Sequence, residues 1–142
     1  MKQYIVDAFA EQLFEDNPAA VCILDKWLPE DLMINITKEN NLSETAFAIK
    51  EAGNYHLRWF TPGGEIDLYG HATLATAFVI MNYIDSSLKQ VSFDPLSGQL
   101  TVTRDGDQYV MAFPSYKLQS IPVSEAMVAV LGVSPKEAWA GP

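Results

Sequence analysis

The sequence predicts an α+β fold in which a mixed, strongly curved β-sheet wraps around one central apolar helix. Three observations predict it. The stretch from Gly70 to Ile84 is apolar on nearly all sides, a pattern suited to a helix buried at the centre of a structure. Short β-prone runs both precede and follow it. Turn signals at Ala52-Gly53-Asn54 and Asp105-Gly106 separate some of those runs at hairpin spacing.

Taken in order, Tyr4 to Phe9 and Ala19 to Leu24 read as strands, with Asp16-Asn17-Pro18 as a turn between them. Pro29-Glu30-Asp31 opens a helix, because proline suits a first turn and acids there complement the helix dipole. Leu32 and Ile36, joined by Met33, are expected on its apolar side, and Asn40-Asn41 ends it. Thr45 to Lys50 and Tyr55 to Phe60 form a hairpin. A loop at Thr61-Pro62-Gly63-Gly64 leads to a short strand over Glu65 to Leu68. After the buried helix, strands are expected at Gln90 to Phe93, Leu100 to Arg104 and Gln108 to Phe113. A last short helix runs from Ser124, its N-cap, to Leu131. The chain then stops at Ala138-Trp139-Ala140-Gly141-Pro142, with little sequence to cover Trp139.

Composition narrows the function. The chain has 142 residues, 49% hydrophobic and 19% charged, which fits a globular domain. Its net charge is −9, and no two basic residues are adjacent, so there is no basic stripe for a nucleic-acid backbone. The N-terminus lacks the apolar core of a signal peptide, and no apolar run is long enough to span a bilayer. A lone Cys22 cannot make an internal disulfide. A cytoplasmic protein that binds neither nucleic acid nor membrane is expected.

A few residues could carry chemistry. Glu44, in Asn41-Leu42-Ser43-Glu44-Thr45-Ala46-Phe47, sits where a loop enters an apolar strand. On the inner side of that strand its carboxyl would lose water and become suited to proton transfer; on the outer side it would be an ordinary solvated glutamate. Gly70 opens the buried helix and His71 stands in its first turn, where free backbone N–H groups make a place for an anion such as a substrate carboxylate. The same two residues also fit a tight turn and a rim histidine. Asn17 either shapes a turn or lines a pocket. Cys22, between Val21 and Ile23, reads as a buried small hydrophobe. His56 and His71 lie far apart, and no metal or phosphate-loop motif occurs.

The order of the motifs says more than any one of them. Asn17-Pro18-Ala19-Ala20-Val21, Asn41 to Phe47, Arg58-Trp59-Phe60-Thr61-Pro62 and Asp67-Leu68-Tyr69-Gly70-His71-Ala72-Thr73-Leu74-Ala75 follow one another. This series closely resembles the phenazine biosynthesis-like (PhzF-like) isomerase family, which is similar in fold to diaminopimelate epimerase. The resemblance covers nearly the whole chain. It implies two similar domains, each a curled sheet around a helix, with the active site in the cleft between them. It implies cofactor-independent acid/base isomerisation or epimerisation of a small carboxylate-bearing metabolite, with no metal; the best-understood member isomerises 2,3-dihydro-3-hydroxyanthranilate. By resemblance Glu44 is the catalytic acid/base, and Asn17, Ser43, Gly70, His71, Ala72 and Thr73 are substrate-binding.

Two residues depart from the pattern. Tyr69 stands where many relatives have cysteine, which argues against a two-thiol racemase, and Asp16 stands where relatives often have glycine. The relatives are also about twice as long, and the Asp-Pro-Val-x-Gly-Ser type motif of their second half is missing here. Residues 1–142 are therefore expected to be a single N-terminal domain of a two-domain family, with one wall of the cleft. A competing expectation is a truncated, inactive unit that forms a homodimer or binds a partner through the apolar face left open. Either way, the enzymatic reading needs Glu44 and the start of the buried helix to face one hollow.

Overall fold

The computed structural model describes residues 1–9, 18–67, 70–94, 99–113 and 117–141. Among them, β1 (Lys2–Asp7), β2 (Pro18–Leu24), α1 (Glu30–Asn40), β3 (Thr45–Glu51), β4 (Asn54–Thr61) and β5 (Gly64–Ile66) precede the central helix α2 (Gly70–Val79). Strands β6 (Gln90–Phe93), β7 (Leu100–Asp105) and β8 (Gln108–Ala112) follow it. The main sheet runs β1-β2-β3-β4-β6-β7-β8, with β5 paired to β4. This is the mixed, curled sheet around an apolar helix that the sequence predicts.

Strand alternation divides the sheet into two faces. Ala19 and Val21 of β2, Ala46 and Ala48 of β3, and Leu57 and Trp59 of β4 join the core around α2. Their neighbours Cys22, Leu24, Phe47, Ile49 and Phe60 point the other way and pack with Met33 of α1. Strands β2 and β3 are parallel, so they need a crossover, and α1 supplies it on the outer face. Five alanines, Ala19, Ala46, Ala48, Ala72 and Ala75, are fully or almost fully buried in the inner core. Small side chains there let α2 lie close against the sheet.

Several boundaries differ from expectation for local reasons. In α1 the expected Met33 is buried and Ile36 packs partly buried against the same core, but Leu32 is 43% exposed and Thr37 is buried in its stead. The threonine is accommodated because its hydroxyl donates to the Met33 carbonyl at 2.9 Å. The strand expected over Glu65 to Leu68 begins at Gly64 and ends at Ile66, since Asp67 is already a bend; Leu68 lies outside the described residues. The central helix reaches Ile84, but Ile80–Ile84 are π-helical, and Asp85 N–H donates to the Ile80 carbonyl at 2.8 Å. Asn82 bonds both the Phe78 carbonyl and the Tyr109 hydroxyl at this widened turn.

Beyond the main sheet, β9 (Gln119–Ile121) and β10 (Ala138–Ala140) pair antiparallel as a separate two-stranded sheet, which was not expected. Between them α3 (Glu125–Leu131) starts at Ser124, whose Oγ accepts from the Met127 N–H at 3.2 Å. No residue of α3 is buried, and Val130, Leu131, Val133 and Trp139 are more than half exposed.

Candidate active site

Glu44 is placed by the way α1 ends. Asn41 adopts the left-handed conformation (φ 52°, ψ 35°), and its N–H returns to the Lys38 carbonyl at 3.2 Å. The preceding Asn40 donates from Nδ2 to Thr45 Oγ1 at 3.0 Å and accepts at Oδ1 from Gln3 Nε2 at 2.8 Å. Ala20 N–H donates to the Glu44 carbonyl at 3.3 Å, which holds the residue against β2 just before β3 begins. Alternation then puts Glu44 on the same face as Ala46 and Ala48, toward α2. Its exposure is 0%.

The partner for this carboxyl comes from the head of α2. His71 Nε2 and Glu44 Oε1 are in direct contact, and the imidazole is only 11% exposed. Stripping a carboxylate of water costs several kcal/mol unless another group compensates, which makes the pairing a physical requirement of burying Glu44 here. Beside it, Ala72 and Thr73 are fully buried. A Cβ at Gly70 would lie 3.1 Å from Phe113 Cζ and 3.7 Å from Met111 Cε, so the end of β8 and the residue after it lie close against the helix head.

Of the expected site residues, the structure thus gathers Glu44, Gly70, His71, Ala72 and Thr73 where β3 meets the start of α2. Ser43 lies in the preceding turn and is exposed. Asn17 and Tyr69 lie outside the described residues. Glu44 and the helix head face each other, as expected, but in direct contact through His71, and neither Glu44 nor His71 lines either of two cavities of about 490 and 380 Å³. The first is lined by Phe9, Leu74, Phe78 and Tyr109 among others, the second by Trp27, Arg58 and Asp94 among others. Among the described residues, no group of three or more His, Cys, Asp and Glu side chains could hold a metal ion, and no helix is long and apolar enough to cross a membrane.

Cys22 is buried on the outer face, as its neighbours suggested, and its thiol donates to Gln3 Oε1 at 3.4 Å. Burial pushes its pKa up from 9.0 to about 12, so it is no nucleophile at neutral pH. Two groups near the site were missed: Asn40, which ties the Glu44 turn to β3, and Trp59, whose indole N–H donates to Thr73 Oγ1 at 3.1 Å. The second was legible. A hairpin turning at Ala52-Gly53 puts position 59 opposite 46 and on the face of 44.

Comparison with known proteins bears on the family and the fold. Residues 6–133 match the family model described as phenazine biosynthesis-like protein. An "uncharacterized isomerase" of Pseudomonas aeruginosa is 46% identical over 132 residues, covering 93% of this chain and 51% of the relative. The crystal structure of a phenazine biosynthesis protein of the PhzF family from Enterococcus faecalis is 53% identical and superposes with a TM-score of 0.86 over 98% of this chain and 54% of that one. A "predicted epimerase" of Pseudomonas aeruginosa, at 19% identity, shares the fold alone, with a TM-score of 0.72 over 93% of this chain and 50% of that one. The chain spans about half the length of the curated relatives it matches. With the motif order, the curled sheet and the matched sequence all in accord, the chain belongs to the phenazine biosynthesis-like family.

Proposed function

We propose that this protein contributes the acid/base half of a cofactor-independent isomerase or epimerase acting on a small carboxylate-bearing metabolite, in the manner of a 2,3-dihydro-3-hydroxyanthranilate isomerase. The observation that carries the reading is the Glu44 carboxyl, withdrawn from water and held against His71 at the head of α2. Glu44 takes a proton from one carbon of the substrate and returns it to another, so the protein ends each turnover unchanged. The substrate carboxylate lies at the N-terminus of α2, near Gly70, His71, Ala72 and Thr73, where backbone N–H groups favour an anion. By the family resemblance Asn17 and Ser43 also contact the substrate, and a second domain supplies the facing wall.

The test is an isomerisation assay in D₂O with the protein as its gene encodes it, starting from 2,3-dihydro-3-hydroxyanthranilate. Solvent deuterium should enter the product, and Glu44→Gln should slow turnover by roughly 10²- to 10⁴-fold. Turnover of Glu44→Gln at the native rate would sink the acid/base role.

A second reading, a unit that pairs with its own copy or binds a partner, draws on the exposed Val130, Leu131, Val133 and Trp139. Analytical ultracentrifugation separates the two: a monomer at high concentration counts against self-pairing.

A further inference from the structure

We propose that Trp59 is a positioning residue that sets the register of α2 and thereby holds His71 against Glu44. The inference rests on the proposed acid/base reading of that pair. It begins with the nature of the helix–sheet contact. The inner core between α2 and strands β2 and β3 is built largely of alanine: Ala19, Ala46 and Ala48 on the sheet, Ala72 and Ala75 on the helix. Methyl groups allow close approach but interlock little, so such a surface does little to stop a helix sliding or turning against it. Bringing one imidazole nitrogen to one carboxylate oxygen needs a placement good to a fraction of an ångström.

Trp59 supplies a directional tie. It lies opposite Ala46 in the β3–β4 ladder, so it shares the inner face with Glu44 and is its diagonal neighbour, two residues along the register. Its ring is 2% exposed. Its Nε1–H donates to Thr73 Oγ1 at 3.1 Å, a buried bond between groups fourteen positions apart in the chain. Thr73 lies two residues beyond His71 in the same helix. One end of the tie is therefore anchored in the strand beside Glu44 and the other in the turn that carries His71. A buried, well-aimed bond of this kind fixes both the height and the rotation of the helix head.

The readout must follow the pair itself, independent of turnover. The exchange with solvent of the proton held between Glu44 and His71 can be followed by NMR with labelled histidine, using His56→Gln to assign the two imidazoles. Trp59→Phe keeps an aromatic ring and removes the N–H; Thr73→Val removes the acceptor with little change of shape. Each should speed exchange by more than about twofold and up to roughly tenfold, the span expected for one hydrogen bond. Thr73→Ser, which keeps the hydroxyl, should exchange at the native rate, and the double variant should be no faster than the faster single one. Exchange within about twofold of native in Trp59→Phe overturns the proposal. If that variant does not fold, Thr73→Val against Thr73→Ser decides: equal rates overturn it. Because no substrate is involved, loss of the acid/base reading leaves this result intact, and loss of the tie leaves the deuterium assay intact.

Discussion

The two faces of the main sheet are built differently. The outer face, under α1, packs large side chains: Phe47 and Phe60 meet edge-on with ring centroids 5.5 Å apart, and Met33 and Ile49 fill in beside them. Its strongly polar group stays at the rim. Arg58 donates to both carboxylate oxygens of Glu65, at 2.6 and 2.5 Å, reaches Glu30 of α1 at 3.3 Å, and stacks over Trp27 and Phe60. The inner face uses alanine to bring α2 close and buries a carboxyl, an imidazole, a threonine hydroxyl and an indole N–H at its centre. Both faces store stability in apolar packing, since Leu57, Ile80, Met81, Phe93 and Leu100 are buried on the inner one. What sets the inner face apart is the buried carboxyl and the imidazole held together within it.

The contrast can be broken most sharply at Phe47 and Glu44. Phe47→Ala should destabilise the fold by about 3–5 kcal/mol, read as a lower urea midpoint with unchanged slope, because it empties the centre of the outer core. Glu44→Gln should act mainly on activity. It keeps the side chain's shape and leaves His71 an amide to bond, so stability should change far less than in Phe47→Ala even as activity falls. A Glu44→Gln protein that is markedly less stable would mean that the pair is there for folding.

Cys22 tests the dryness of the outer face. The native thiol keeps its proton up to about pH 12, whereas the unfolded chain releases it near 9.0. Between those values the unfolded state binds fewer protons, so the thiol's contribution to stability is complete below pH 9.0 and declines as pH rises toward 12. At pH 9, alkylation should accordingly be on the order of 10³-fold slower in the native protein than in urea. Rapid native labelling would show that water reaches this core.

A smaller effect is expected on the inner face. Ala46→Val adds two methyl groups between β3 and α2 and should cost about 1–3 kcal/mol by overpacking, with α2 pushed outward and the His71 exchange rate raised. The smallest expected effect lies at the hairpin joining β3 to β4. Ala52 and Gly53 both have positive φ, 49° and 90°, a pairing that suits Asn-Gly better than Ala-Gly. Ala52→Asn should stabilise by up to about 1 kcal/mol, as a small rise in Tm, and leave both faces as they are.

Much of this was legible in the residues. The Ala52-Gly53 turn, the Asn40-Asn41 stop and the apolar run from Gly70 each mark an element through local rules of backbone conformation and side-chain period. On α1 the expected Met33 and Ile36 do pack on the outer core and only Leu32 does not, because Leu32 and Met33 fit a helical stripe equally well and the facing strands select Met33. Strands β9 and β10 escaped because each is three residues long and pairs across a helix, so neither carries a period of its own.

By itself the sequence determined the elements of the main sheet and its helices, which residue types cluster around Glu44 and Gly70, and which family the chain resembles, since these depend on local conformation and on motif order. Only the tertiary structure decided that Glu44 is dry and touches His71, and that Trp59 reaches Thr73. Those facts depend on how tightly the sheet curls and how near α2 lies to it, and contacts between groups so far apart in the chain exist only once the whole core has packed.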